Sequence, residues 1–191
     1  MVLVWLAACG SFDVIQEPAG PTPEEIALEQ AGALAKERAQ TMQAAMVQNL
    51  ATTAPDALTA GSAEVDALAW HQVGKLPPQG RVGISALELR NPANRPPEWV
   101  KAWLEEREGR QYADVAGDGF ARIEDGPDGK VARVLEPIPV LEQCIRCHGD
   151  EEEIPADVRT ALEQRYPNDK ARGYEVGDLR GAVWSEVAVA E

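Results

Sequence analysis

The chain has 191 residues, 45% of them hydrophobic and 26% charged, with a formal net charge of −14. That is enough for one well-buried domain plus an appendage, and too apolar for a disordered chain. The acidic balance argues against a nucleic-acid ligand and against direct docking on anionic lipid, whereas a basic partner would be steered toward such a surface.

The opening MVLVWLAACGS is apolar from Val2 to Ala8 and closes on small residues before Cys9. A run this short cannot span a bilayer and reads as an export signal. Leu6-Ala7-Ala8-Cys9 resembles the bacterial lipoprotein box, which implies cleavage before Cys9 and lipid on its sulfur; no Lys or Arg precedes the run, a departure from that pattern. The expectation is an exported protein at the periplasmic or outer face of a bacterial membrane, held to membrane lipid through Cys9. Residues 10–23, rich in Pro and Gly, read as a semi-extended tether.

Residues 24–191 are then expected to form one domain. Thr22-Pro23-Glu24-Glu25 marks a helix start, with Thr22 as N-cap and two carboxylates at the positive end. The helix runs to about Thr52, and Ala31, Leu34, Ala35, Arg38, Met42, Ala45 and Met46 share one face. A shorter helix is expected within SAEVDALAWHQ, where Val65, Leu68 and Ala69 share a face. VGISALEL alternates as a strand, Asn91-Pro92 turns the chain, and PPEWVKAWLEER restarts a helix with Trp99 and Trp103 four apart. GFARIEDGPDGKVARVLEPI reads as a hairpin turning at Gly126 to Gly129, and ADVRTALEQRY as a short helix. The last strand, GAVWSEVAVA, sets Val183, Ser185, Val187 and Val189 on one face. Local hairpins with helices to one side predict an α+β domain with a largely antiparallel sheet.

Between the hairpin and the short helix lies VLEQCIRCHGDEEEIP, with Cys144, Cys147 and His148 in the pattern Cys-x-x-Cys-His. This is the spacing of covalent haem c attachment. The two thiols add to vinyl groups on one porphyrin edge, and one turn can present both. The next residue, His148, is directed under the ring as proximal iron ligand. A structural zinc site would want four Cys or His ligands, and none stands near in sequence. Cys9, Cys144 and Cys147 are the only three cysteines, so lipid and haem account for every thiol.

IPVLEQCIRCHGD, YPNDKARGYEVGDLRGAV and the upstream VGISALELRNPANRPPEW together resemble the PAS-like single-haem c-type cytochromes, long catalogued as a domain of unknown function. The resemblance covers roughly residues 30 to 188 in three ordered blocks. It implies a PAS-like antiparallel sheet with flanking helices behind a long N-terminal helix. Cys144 and Cys147 match the attachment cysteines and His148 the proximal ligand. Arg90-Asn91-Pro92-Ala93-Asn94 matches a signature loop, and Tyr174, Gly177, Asp178, Arg180 and Gly181 match a C-terminal block. Asn91-Pro92 and Gly177-Asp178 are also plain turn formers. Arg90 and Arg180 are candidates to pair with haem propionates, since a guanidinium suits a carboxylate bidentately.

Many relatives carry a further cysteine upstream of the signature loop as second axial ligand. Here APDALTAGSAEVDALAW has none, so a thiolate from that segment is excluded. The candidates for the other side of the iron are His71, Met42 or Met46 as thioethers, an open site, or a less usual ligand such as Lys75 or water. Two functions follow. One is a lipid-anchored cytochrome that transfers electrons with a redox partner protein or membrane complex. The other is a haem-based redox or gas sensor that signals to a separate protein. No output segment is recognisable in the chain, which favours the electron carrier over the sensor, and neither is an enzyme. Peroxidase-like chemistry would require a five-coordinate iron and a distal acid–base group.

Overall fold

A computed structural model describes residues 20–51 and 80–190 of the chain, and only the backbone for residues 45–51. The long helix α1 spans Pro23–Ala51. Its start is fixed by a capping box. Thr22 Oγ1 accepts the Glu25 amide at 3.2 Å, while the Glu25 carboxylate accepts the Thr22 amide at 2.7 Å. The expected N-cap is therefore where the sequence put it.

The helix rests on a four-stranded sheet of order β1-β4-β3-β2, with every neighbouring pair antiparallel. The strands are β1 Arg81–Ser85, β2 Phe120–Gly126, β3 Gly129–Pro139 and β4 Leu179–Ala188. This is the α+β class expected, in an arrangement consistent with a PAS-like sheet. Ala27, Ala31 and Ala35 form the buried stripe of α1 and pack on Ala132, Val134, Val183 and Val187. Small side chains let the helix backbone come close, and fully buried Ser185 donates its hydroxyl to the Ala31 carbonyl at 2.7 Å.

Val183, Ser185 and Val187 do share the face under α1. The opposite face of β4 is buried too, which alternation alone does not announce. There Ala182 and Trp184 pack with Leu135 and with Val100, Trp103 and Leu104 of helix α2 (Glu98–Glu105). Central strands carry this two-sided burial because both neighbours and both layers cover them. β1 stops at Ser85, short of the alternating run that continues to Leu89. The Asn91-Pro92 turn forms as expected, with the Asn91 side chain accepting the Ala93 amide at 2.9 Å. A further one-turn helix, α3, spans Tyr112–Val115 and was not anticipated.

Gly83 lies opposite Trp184 in the β1–β4 register, and the indole fills the space a side chain would take. A Cβ at Gly83 would stand 2.6 Å from the Trp184 ring, whose Nε1 is held by Ser85 Oγ at 3.0 Å. Gly83→Val should therefore cost about 1–3 kcal/mol through overpacking. A urea midpoint equal to that of the parent chain would show that the indole can move aside.

Candidate haem-attachment site

The site begins where β3 leaves the sheet. Beyond Pro139 the chain still pairs with the approach to β4, through Val140 N to Asp178 O and Gly177 N to Val140 O, both 2.9 Å. Gly177 has φ +98°, a conformation that favours glycine, and the Asp178 carboxylate accepts the Glu175 amide at 2.8 Å. The Gly177-Asp178 bend is thus built as its residues suggested.

A 3₁₀ turn, Glu142–Cys144, runs directly into the one-turn helix α4, Ile145–His148. In helical geometry residues three and four apart share a face. Cys144 therefore shares one side of a single turn with Cys147 and His148. Both cysteines are free and half-buried. Burial pushes the Cys147 thiol above its ordinary pKa, against the pull of nearby Arg90 and Arg146. Helix α5 (Ala156–Arg165) braces the turn from behind: Ile154, Val158 and Leu162 form a small core that packs on Cys147 and Tyr166.

His148 is held from the loop that follows α5. Its Nδ1 lies 2.7 Å from the Ala171 carbonyl. A carbonyl only accepts, so Nδ1 carries the proton and, in the neutral ring, Nε2 keeps its lone pair. Burial, with Arg180 and Arg90 adding to it, holds the imidazole pKa well below its ordinary value, which keeps the ring neutral. The backbone of the same loop zips to the turn through Tyr174 N to His148 O at 2.9 Å and Gly173 N to Gly149 O at 3.0 Å. The Tyr174 ring meets His148 edge-on at 6.4 Å, and the Arg180 guanidinium lies 5.0 Å over Tyr174. Tyr174 and Arg180 line a cleft of about 250 Å³ together with Leu87, Leu104 and Arg172.

Arg90, a candidate to pair with a haem propionate, meets a carboxylate of the protein. Its Nε donates to Asp169 Oδ2 at 3.0 Å, and its Nη2 donates to the carbonyls of Cys147 and, at 3.3 Å, Ala171. Arg172 Nε donates to the same Asp169 oxygen at 3.1 Å, and Asp169 Oδ1 accepts the Ala171 amide at 2.9 Å. Asp169 was not singled out from the sequence, and the Ala171 carbonyl could not have been, since a backbone acceptor leaves no residue signature.

Of the remaining candidates, Met42 lies half-buried on α1 and Met46 belongs to the same helix, where only the backbone is described. His71, Lys75 and Cys9 lie outside the described residues, as does the helix expected within SAEVDALAWHQ. Among the described residues no group of three or more His, Cys, Asp or Glu could hold a metal ion, and no helix is long and apolar enough to cross a membrane.

Fold and site together define an α+β protein that offers two thiols and one neutral imidazole from a single braced turn. Residues 22–187 match the Tll0287-like family, and the chain belongs to it. A solved structure similar to it is the crystal structure of the cyanobacterial heme-protein Tll0287, 26% identical, with a TM-score of 0.43. That match covers 59% of this chain and 62% of the other. No match was found among curated proteins.

Proposed function

We propose that this protein is an exported, lipid-anchored monohaem c-type cytochrome that transfers electrons. Cys144 and Cys147 would carry the haem as thioethers, and His148 Nε2 would bind the iron. The observation that carries the reading is the His148 hydrogen bond: Nδ1–H is committed to the Ala171 carbonyl at 2.7 Å, which leaves Nε2 as the ligating atom. Membership of the family that contains a heme-protein supports it. When bound, the haem would supply a one-electron couple between Fe(III) and Fe(II). Arg180, stacked over Tyr174 beside His148, is the arginine best disposed to meet a haem carboxylate. Cys9 would take the lipid that keeps the domain at the membrane.

An optical spectrum of the purified holoprotein, oxidised and reduced, with and without carbon monoxide, tests the electron-transfer role. A low-spin spectrum that carbon monoxide does not move is expected. His71→Ala should turn it high-spin if His71 is the second ligand, and Met42→Ala or Met46→Ala should do so otherwise. A high-spin spectrum that shifts with carbon monoxide would overturn electron transfer in favour of a gas sensor.

The acidic surface adds a kinetic expectation. Electron exchange with a basic redox protein should slow steeply as ionic strength rises from about 0.01 to 0.15 M, because the Debye length shrinks from about 30 to 8 Å over that range. Rates indifferent to salt would rule out electrostatic docking.

A further inference from the structure

We infer that Asp169 is a positioning residue for His148, and that the Arg90–Asp169–Arg172 cluster sets the charge felt by the iron; the inference rests on the haem reading above. Asp169 acts through two neighbours, Ala171 and Arg90, and both of them reach the attachment turn.

The first route is mechanical. Asp169 Oδ1 accepts the Ala171 amide at 2.9 Å, which folds the loop so that the Ala171 carbonyl meets His148 Nδ1 at 2.7 Å. Asp169 Oδ2 orients Arg90 at 3.0 Å, and Arg90 then bonds the Cys147 carbonyl of the turn itself. One carboxylate thus fixes both ends of the imidazole's hydrogen bond, the backbone that carries His148 and the carbonyl that receives its proton.

The second route is electrostatic. The Asp169 side chain is 1% exposed and that of Arg90 is 8% exposed, so water does little to screen either charge. Arg90 Nη2 shares the Ala171 carbonyl with His148, and a carbonyl has two lone pairs to give. Alone, the Arg90 cation would draw density from that carbonyl and weaken its hold on Nδ1–H, making the imidazole a poorer electron donor. The Asp169 anion offsets this. Arg172, 22% exposed on its side chain, is the second cation on the same carboxylate oxygen.

The sign follows from charge alone. Oxidised haem carries one more positive charge than reduced haem. Removing a nearby anion therefore favours reduction, and removing a nearby cation favours oxidation. Asp169→Asn should raise the midpoint potential. Arg90→Gln and Arg172→Gln should each lower it, with Arg90→Gln the larger because Arg90 also reaches the turn. A role confined to folding would not give opposite signs to the two halves of one ion pair.

The experiment is spectroelectrochemical titration of the full-length haem-loaded chain, parent and variants, with Asp128→Asn in the exposed hairpin turn as the control for a remote charge. The expected result is an upward shift for Asp169→Asn and downward shifts for both arginine variants, each larger than the control's. Shifts of the same sign for Asp169→Asn and Arg90→Gln, or shifts no larger than the control's, would overturn the inference. Should Asp169→Asn fail to fold, the arginine variants decide alone: two downward shifts support it, and an unmoved or raised potential in both overturns it. A parent chain that takes up no haem during cytochrome c maturation would sink the haem reading and this inference together. Haem present with unmoved potentials would sink the inference only.

Discussion

Replacing Cys144 and Cys147 together with serine should leave no haem on the chain after denaturation in acid and organic solvent, where the parent chain keeps its haem. Serine preserves size and leaves His148 and its Ala171 partner in place, so any loss is traceable to the thiols. Each single variant should keep one thioether, and its reduced pyridine adduct should absorb at longer wavelength than the parent's, since one vinyl group remains unsaturated. The two singles should differ in stability. Cys147 packs on the Ile154, Val158 and Leu162 cluster, whereas Cys144 only receives a weak bond from the Leu141 amide at 3.4 Å. Cys147→Ser places a hydroxyl against that apolar cluster and should cost about 1–3 kcal/mol in the chain without haem, while Cys144→Ser should be close to neutral. Haem that still resists extraction from the double variant would mean that the thiols are not its attachment points, and the c-type reading would fall.

What the sequence disclosed and what it withheld divide along physical lines. The Cys-x-x-Cys-His turn was legible because its chemistry is local: spacing along one helical turn settles which side chains share a face. The hairpin was legible for the same reason, since Gly126 and Gly129 bracket the turn and alternation flanks it. The capping box at Thr22 and the Asn91 turn are also contacts between residues two or three apart. The rest depends on partners far along the chain. Nothing near Asp169 announces that Arg90, 79 residues earlier, will lie against it. Nor does GAVWSEVAVA reveal that Glu186, which alternation sends outward, will be covered from both neighbouring strands. The Ala171 carbonyl leaves no mark in the sequence either, because it is a backbone atom shared by every residue type.

Glu186→Ala should destabilise the fold by about 3 kcal/mol, the lower end of what removing one partner from a buried ion pair costs. Glu186 sits in the central strand with its side chain 3% exposed, and the register sets it opposite Arg81 of β1 and Arg133 of β3. Arg81 bonds one carboxylate oxygen and Arg133 Nε the other, at 3.0 Å for the latter. The Arg133 guanidinium also pairs with Glu124 and lies 5.0 Å over the Trp99 ring, so the group is roofed by an aromatic side chain of α2. Without Glu186, the two arginines would hold like charges together across one strand. The arginines retain 23% and 18% of their side-chain exposure, which lets water recover part of the loss and is the reason for the lower end of the range. Arg133 keeps Glu124 when Glu186 is removed, while Arg81 loses the Glu186 carboxylate. The combined Arg81→Met, Glu186→Leu variant should be more stable than Glu186→Ala alone, because it replaces both ions of the pair by apolar side chains that fill the space. Urea unfolding of the parent chain and the two variants, with unchanged dependence on denaturant, measures both differences. A loss below about 1 kcal/mol for Glu186→Ala, or a combined variant less stable than it, would show that the strand opens to water and that β4 is not sealed on both faces.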